Sequence, residues 1–244
     1  SKVMANQSDT NSHILFCNSE GVMYYDYRPM VTLGAVCIME ENGRMENSYA
    51  ARAYRKGFEF LSDDLVEILA REAVDNIANL FKAIKPKGGE MPVVMGAGGS
   101  GILLHEAIGH AFEADFNRKN VSIFSDQLNQ KVCNAHISVI DDGTIPFNRG
   151  SVNFDDEGVD GQKTYLVKEG VLTSYMHDRI SARHYGIAPT GNGRRETFRN
   201  VPIPRMRATY MEPGNMKEED IIASVKQGIF VDQFRNAQVQ IGAG

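Results

Sequence analysis

Residues 62–86 read Ser-Asp-Asp-Leu-Val-Glu-Ile-Leu-Ala-Arg-Glu-Ala-Val-Asp-Asn-Ile-Ala-Asn-Leu-Phe-Lys-Ala-Ile-Lys-Pro. Leu65, Ile68, Leu69, Ala73, Ile77, Leu80, Phe81 and Ile84 recur at three-and-four spacing, the signature of a helix with one apolar face. Ser62 or Asp63 can cap its first turn, and Lys85-Pro86 ends it. Upstream, short β-branched or aromatic runs (His13 to Cys17, Val22 to Tyr27, Val31 to Met39, Ser48 to Phe58) alternate with the turn signals Asn18-Ser-Glu-Gly21 and Glu41-Asn-Gly43, which predicts an antiparallel meander. Downstream, Pro92 to Met95 predicts a short strand, Gly96 to Gly101 a turn and Ile102 to Phe116 a second helix. Lys131 to Ile140, Gly150 to Phe154 and Ile203 to Met211 read as strands, and Thr164 to Lys168 with Val171 to Met176 as a hairpin through Glu169-Gly170. Short helices are expected at about Asp178 to Tyr185 and Lys217 to Gln227.

Strands outnumber helices and do not alternate regularly with them, so the fold class is α+β, with antiparallel or mixed sheets, a long amphipathic helix and a buried helix carrying the chemistry. The expected division is 1–90, an α+β region, and 91–244, the catalytic core. Of 244 residues, 42% are hydrophobic and 23% charged, with 26 Lys and Arg against 31 Asp and Glu, a net charge of −5. These values describe an ordinary globular chain without a basic face for nucleic acid. No apolar stretch approaches the ~20 residues that span a bilayer. Cys17, Cys37 and Cys133 are odd in number and lack C-x-x-C spacing, pointing to a reducing compartment and a cytoplasmic protein.

The sequence Ile102-Leu-Leu-His-Glu-Ala-Ile-Gly-His-Ala-Phe-Glu-Ala-Asp115 sets two imidazoles and a carboxylate among hydrophobes. A divalent metal satisfies two neutral imidazoles at once, and the carboxylate can serve its water. The difficulty is spacing: in H-E-x-x-H the histidines are four apart and share a face, whereas His105 and His110 are five apart, leaving them ~140° apart on a regular helix. Either the helix widens into a π-turn or it breaks near Gly109. The alternative is a pair of ordinary core histidines on opposite faces.

Other features compete for a role. Gly96-Ala-Gly-Gly-Ser-Gly101 fits G-x-G-x-x-G between a strand and a helix, the setting of a dinucleotide site, but the acidic residue expected ~20 positions on is missing. Gly98 and Gly99 would otherwise allow close backbone approach to a peptide. A third reading is a non-catalytic module that binds peptides by strand addition. Arg194 and Arg195 can hold a substrate carboxylate or an oxyanion, or simply pin their loop. His136 reads as a core or edge strand residue, and His177 and His184 as surface residues. Asp155-Asp-Glu-Gly158 lacks calcium-loop spacing and reads as a solvated turn or a clamp for an arginine.

His105-Glu-Ala-Ile-Gly-His110, with Glu113-Ala-Asp-Phe-Asn-Arg118, Asp141-Asp-Gly143, Asp155-Asp-Glu-Gly158 and Thr190-Gly-Asn-Gly-Arg-Arg-Glu196, closely resembles the TldD-type subunits of the TldD/PmbA family, also called the modulator of DNA gyrase family. The resemblance runs from about Tyr54 to the C-terminus. The resemblance implies a cytosolic metallopeptidase acting on unfolded or small peptides, in maturation of peptide antibiotics and removal of labile antitoxins. It implies zinc on His105 and His110, Glu106 as the catalytic carboxylate, and a homodimer or a heterodimer with a homologous subunit that lacks the motif. It also implies a third zinc ligand, a cysteine in a glycine-rich segment near the C-terminal end, whose context none of the three cysteines here shares. The resemblance further implies an N-terminal region longer than what precedes Tyr54, so both ends are expected to be trimmed, and the chain alone to be metal-poor, because catalytic zinc usually has three protein ligands.

Overall fold

The computed structural model describes residues 1–98, 100–232 and 234, which divide into two compact units. The first comprises residues 1–15, 23–88 and 147–149. Its strands β1 (Lys2–Cys17), β2 (Met23–Glu41) and β3 (Arg44–Tyr54) form a sheet in the order β1-β2-β3, with β2 and β3 antiparallel from Val31↔Tyr54 to Glu41↔Arg44. The strands run longer than the apolar runs predicted, because the turn at Asn42-Gly43, both at positive φ, lets pairing continue through polar residues. Helix α1 (Asp63–Lys82) is the amphipathic helix. Ser62 Oγ accepts the Leu65 N–H, and Leu69, Ala73 and Ile77 bury themselves against Cys37 and Ala50. Ser48 Oγ adds a hydrogen bond to the Ala73 carbonyl.

The second unit comprises residues 16–22, 89–146 and 150–244. Strand β4 (Val93–Met95) is followed by α2 (Gly101–Leu104), a π-turn (His105–Gly109), a 3₁₀ turn (His110–Phe112) and α3 (Ala114–Arg118). The single helix expected over 102–116 is thus four short pieces. Strands β5 (Val139–Asp142), β6 (Lys163–Lys168) and β7 (Val171–Leu172) follow, then α4 (Arg179–Tyr185), β8 (Gly193–Arg194), β9 (Ile203–Pro204), β10 (Thr209–Met211), α5 (Glu218–Ser224) and β11 (Ile229–Val231). An antiparallel sheet in the order β10-β5-β6-β7 backs the core, where Phe112, Ala114, Val139, Leu166, Leu172, Tyr175, Met176 and Met206 pack together. The fold class is α+β, as expected.

Several short elements depart from their patterns. Of the strand expected over Lys131 to Ile140, Lys131 makes only a bridge to Val171 and residues 132–138 turn, the N–H groups of Val132 and Cys133 going to the Gly170 carbonyl and that of Ile137 to the Asn134 carbonyl. Gly150 to Phe154 contributes only a bridge from Phe154 to Asp160. The run Ile203 to Met211 breaks into β9 and β10 where Arg205 and Arg207 turn to side-chain and loop partners.

Candidate metal centre

The π-turn brings the pair together. The backbone N–H of His110 bonds the carbonyl of His105, an i to i+5 bond that widens the helix by one residue. The two rings stand 4.8 Å apart between centroids, edge to face. One ligand atom each from His105, Glu106 and His110 lies within 4.8 Å of the others. His105 is exposed and the other two are half-buried, so the group opens at the surface end of an otherwise apolar segment.

The turn leaves no room for a side chain at its last residue. Gly109 is buried, and a Cβ there would lie 2.1 Å from Met206 Sδ. Beyond the turn the helix cannot continue, because its carbonyls are taken by other groups. Asn117 Nδ2 and Ser122 Oγ both donate to the Ala111 carbonyl at 2.8 Å, and the Met176 N–H donates to that of Phe112. Glu113 then leaves in an extended conformation, bridging Met176 as a strand would.

Burial is the main cause that lowers the basicity of both imidazoles; for His105 the neighbouring His110 adds to it, and for His110 the Arg205 cation does, while Glu106 opposes both shifts. Neutral imidazole is the form that binds a metal. Two neutral imidazoles and a carboxylate within reach of one point fit a divalent ion such as zinc. Among the described residues no cysteine joins this group, and Cys17, Cys37 and Cys133 are free thiols.

Arg194 also lowers the basicity of His105 and His110 electrostatically. Arg195 is turned to its own loop: its N–H donates to Asp156 Oδ2 and its Nη1 to the Asn200 carbonyl. The loop carrying both is built on Asn192, fully buried, whose Nδ2 donates to Asp141 Oδ2 and the Arg205 carbonyl while its Oδ1 accepts from Thr190 Oγ1. Gly191 takes φ +73° and admits no side chain, since a Cβ would lie 2.5 Å from the Asp160 carbonyl oxygen. Asp155 is buried, not solvated, and accepts the N–H groups of Glu157, Val159 and Gly193. The acidic run therefore clamps backbone.

Gly98 takes φ +88° in the turn before α2, and its carbonyl accepts the Gly101 N–H; Gly99 lies outside the described residues. The dinucleotide setting is not met. Strand β4 pairs with β11 alone among the described residues, and the helix after the turn is only four residues long. His184 and His136 are exposed, the latter in a turn and not a strand, but His177 is fully buried, against expectation. Its ring sits among Tyr175 and Tyr185, neither nitrogen finds a hydrogen-bond partner, and burial pushes its pKa down to about 4.

Two residues near the pair escaped the sequence reading. Glu113 is completely buried, with Oε2 3.2 Å from His110 Nδ1 and 2.8 Å from Arg205 Nη1. Burial pushes its carboxyl up to about 8 against the pull of Arg205. Its position three residues after His110 is a local signal, since such residues share a helix face. Arg205, 92 residues further on, has none.

Comparison with known proteins shows the family. Residues 88–244 match the model of the PmbA/TldA metallopeptidase C-terminal domain, and residues 1–81 that of the central domain of the same family. The likeness thus reaches upstream of Tyr54 to the first residue. A metalloprotease TldD homologue of Haemophilus influenzae is 42% identical over all of this chain and 52% of its own length. A zinc metalloprotease TldD homologue of Saccharolobus solfataricus is 34% identical over 72% of this chain and 39% of its own. In structure, TldE from Thermococcus kodakarensis aligns with a TM-score of 0.78 at 22% identity, covering 96% of this chain and 52% of that one. The chain spans about half the length of these curated relatives and solved structures. It belongs to the PmbA/TldD metallopeptidase family.

Proposed function

We propose that this chain carries the catalytic centre of a zinc-dependent peptidase for unfolded or small peptides, with the metal on His105 and His110 and Glu106 as general base. The observation that carries the reading is the convergence of these three residues through a π-turn, against their five-residue spacing. Support for zinc comes from the donor set and from the relative named a zinc metalloprotease. The catalytic core is assigned to residues 91–244 and a supporting α+β region to 1–90. No helix among the described residues is long and apolar enough to cross a membrane, and the setting proposed is the cytoplasm. The partner is a second copy or a homologous subunit without the motif, a pairing that the TldE likeness supports.

Bound zinc would supply Lewis acidity, polarising the scissile carbonyl and lowering the pKa of water. His105 and His110 hold the ion through neutral ring nitrogens. Glu106, beside both, accepts a proton from the attacking water and returns it to the leaving amine. The Arg194 cation is placed to attract the developing oxyanion or a substrate carboxylate. Arg195, committed to Asp156 and Asn200, holds the loop that presents Arg194.

The decisive experiment is anomalous scattering on crystals of the full-length protein, with zinc content measured in parallel for His105→Ala. Zinc at the two rings, lost in the variant, supports the assignment; equal zinc in the variant puts the ligands elsewhere. Substrates bound main chain to main chain must be unfolded, since folded proteins have already paired their backbone groups. One polypeptide offered with and without its stabilising ligand should be cut only in the unfolded form, and equal rates would refute this selection.

A further inference from the structure

We infer that Glu113, braced by Arg205, is a positioning residue that fixes the ring of His110 with Nδ1 turned inward and Nε2 left free for the metal. The inference rests on the proposed metal reading and deepens it.

A carboxylate with no exposed surface is expensive, and burying it with an arginine is a poor way to gain stability, so a structural ion pair alone explains little. The pair is also fixed on both sides. The Glu113 N–H bonds the His110 carbonyl, the Glu113 carbonyl accepts from Asn117 Nδ2, and its backbone bridges Met176. Arg205 is gripped through its main chain by Asn192, donating its N–H to the Asn192 carbonyl and accepting from Asn192 Nδ2, while its Nη1 also donates to the Pro204 carbonyl. Neither side chain has been left to drift, and the group they converge on is His110.

The direction of the hydrogen bond follows from Arg205. Oε2 of Glu113 already accepts from the guanidinium at 2.8 Å, so towards His110 it acts as an acceptor and Nδ1 is the donor. Neutral imidazole alone favours the proton on Nε2; a donor bond from Nδ1 reverses this and aims the Nε2 lone pair outward. A carboxylate behind a ligating histidine in this way sets ring orientation and raises ligand basicity.

The test reads the tautomer and the metal separately. In the metal-free, histidine-labelled full-length protein, long-range ¹⁵N–¹H correlation should show His110 protonated on Nδ1. In Glu113→Ala the proton should move mainly to Nε2, and zinc, measured by chelator competition, should bind about 10–100-fold more weakly. Glu113→Gln, whose amide oxygen still accepts from Nδ1, should restore both, which a merely structural loss would not. An unchanged tautomer in Glu113→Ala overturns the inference, as does a changed tautomer with unchanged zinc affinity at the two histidines. Zinc binding indifferent to both His105→Ala and His110→Ala instead sinks the metal reading, and the tautomer then judges Glu113 alone. Should the alanine variant fail to fold, Glu113→Leu, which keeps the buried volume but accepts no hydrogen bond, is read by the same two measurements against the same outcomes.

Discussion

Helix α1 and the segment from Gly101 to Arg118 are of similar length, and they were built by different rules. Helix α1 is one regular helix whose shape follows from its own period, its Ser62 cap and its buried stripe. The other segment passes through α, π, 3₁₀ and α geometry in eighteen residues, and at each change it meets a residue far away in sequence: Met206 against Gly109, Met176 bonded to Phe112, Arg205 bonded to Glu113. A helix that only has to pack can be specified locally. One that has to aim three side chains at a point needs outside partners.

Substitutions can break or sharpen this contrast. The largest effect is expected at Glu106→Gln, which keeps fold and metal but loses about 10²–10⁴ of the rate on an unstructured peptide, measured as kcat/KM; full activity would reassign the base. In α1, Ile77→Ala removes a side chain with no exposed surface and should cost about 2–5 kcal/mol in chemical unfolding, without changing metal content. Loss of zinc in that variant would blur the distinction between packing and aiming.

His177 tests the cost of polar burial in the second unit. It is neutral in both states above pH 6.5; between 6.5 and about 4 the unfolded chain takes up a proton that the native ring refuses. Stability is therefore lost as pH falls through this window, by about 3 kcal/mol at about 1.4 per tenfold. Glu113, raised to about 8, titrates in the opposite sense, so the measurement is the difference between wild type and His177→Gln, followed from pH 7.5 to 4. A difference that does not change with pH would mean that the ring finds a proton partner.

The smallest effect has the most telling sign. In an ordinary helix Gly→Ala stabilises by about 1 kcal/mol. Gly109→Ala should instead destabilise by about 1–3 kcal/mol, because the new methyl must displace Met206, itself 7% exposed. Adding Met206→Ala should recover much of the loss; a stabilising Gly109→Ala would show that the π-turn is specified locally after all.

Legibility in the sequence follows the same division. The period of α1, its cap, the turns at Asn42-Gly43 and Glu169-Gly170, and the need for a π-turn or break at Gly109 could all be read, because each depends on residues within a few positions. The convergence of His105 and His110 followed from asking what else would satisfy two imidazoles. The strand expected over Lys131 to Ile140 formed only at its end, because Val132 and Cys133 give their N–H groups to the Gly170 carbonyl and Ile137 gives its own to Asn134, a choice that overrides propensity. His177 was misjudged because burial is a property of its neighbours Tyr175 and Tyr185, which the sequence does not bring together. Arg205 and Met206 carried no local mark, being defined by the residues they meet across the fold.

The hydrogen bond that closes the π-turn runs from the N–H of His110 to the carbonyl of His105, so its two ends are the two residues proposed as ligands. The peptide units that carry the imidazoles are tied to each other directly, without an intervening loop. An arriving ion need not gather its donors from a flexible chain, and the entropy of that gathering has already been spent in folding. What the pair itself has left to order is ring rotation, two torsions per histidine. Anything that restrains those torsions acts on the metal as directly as a new ligand would.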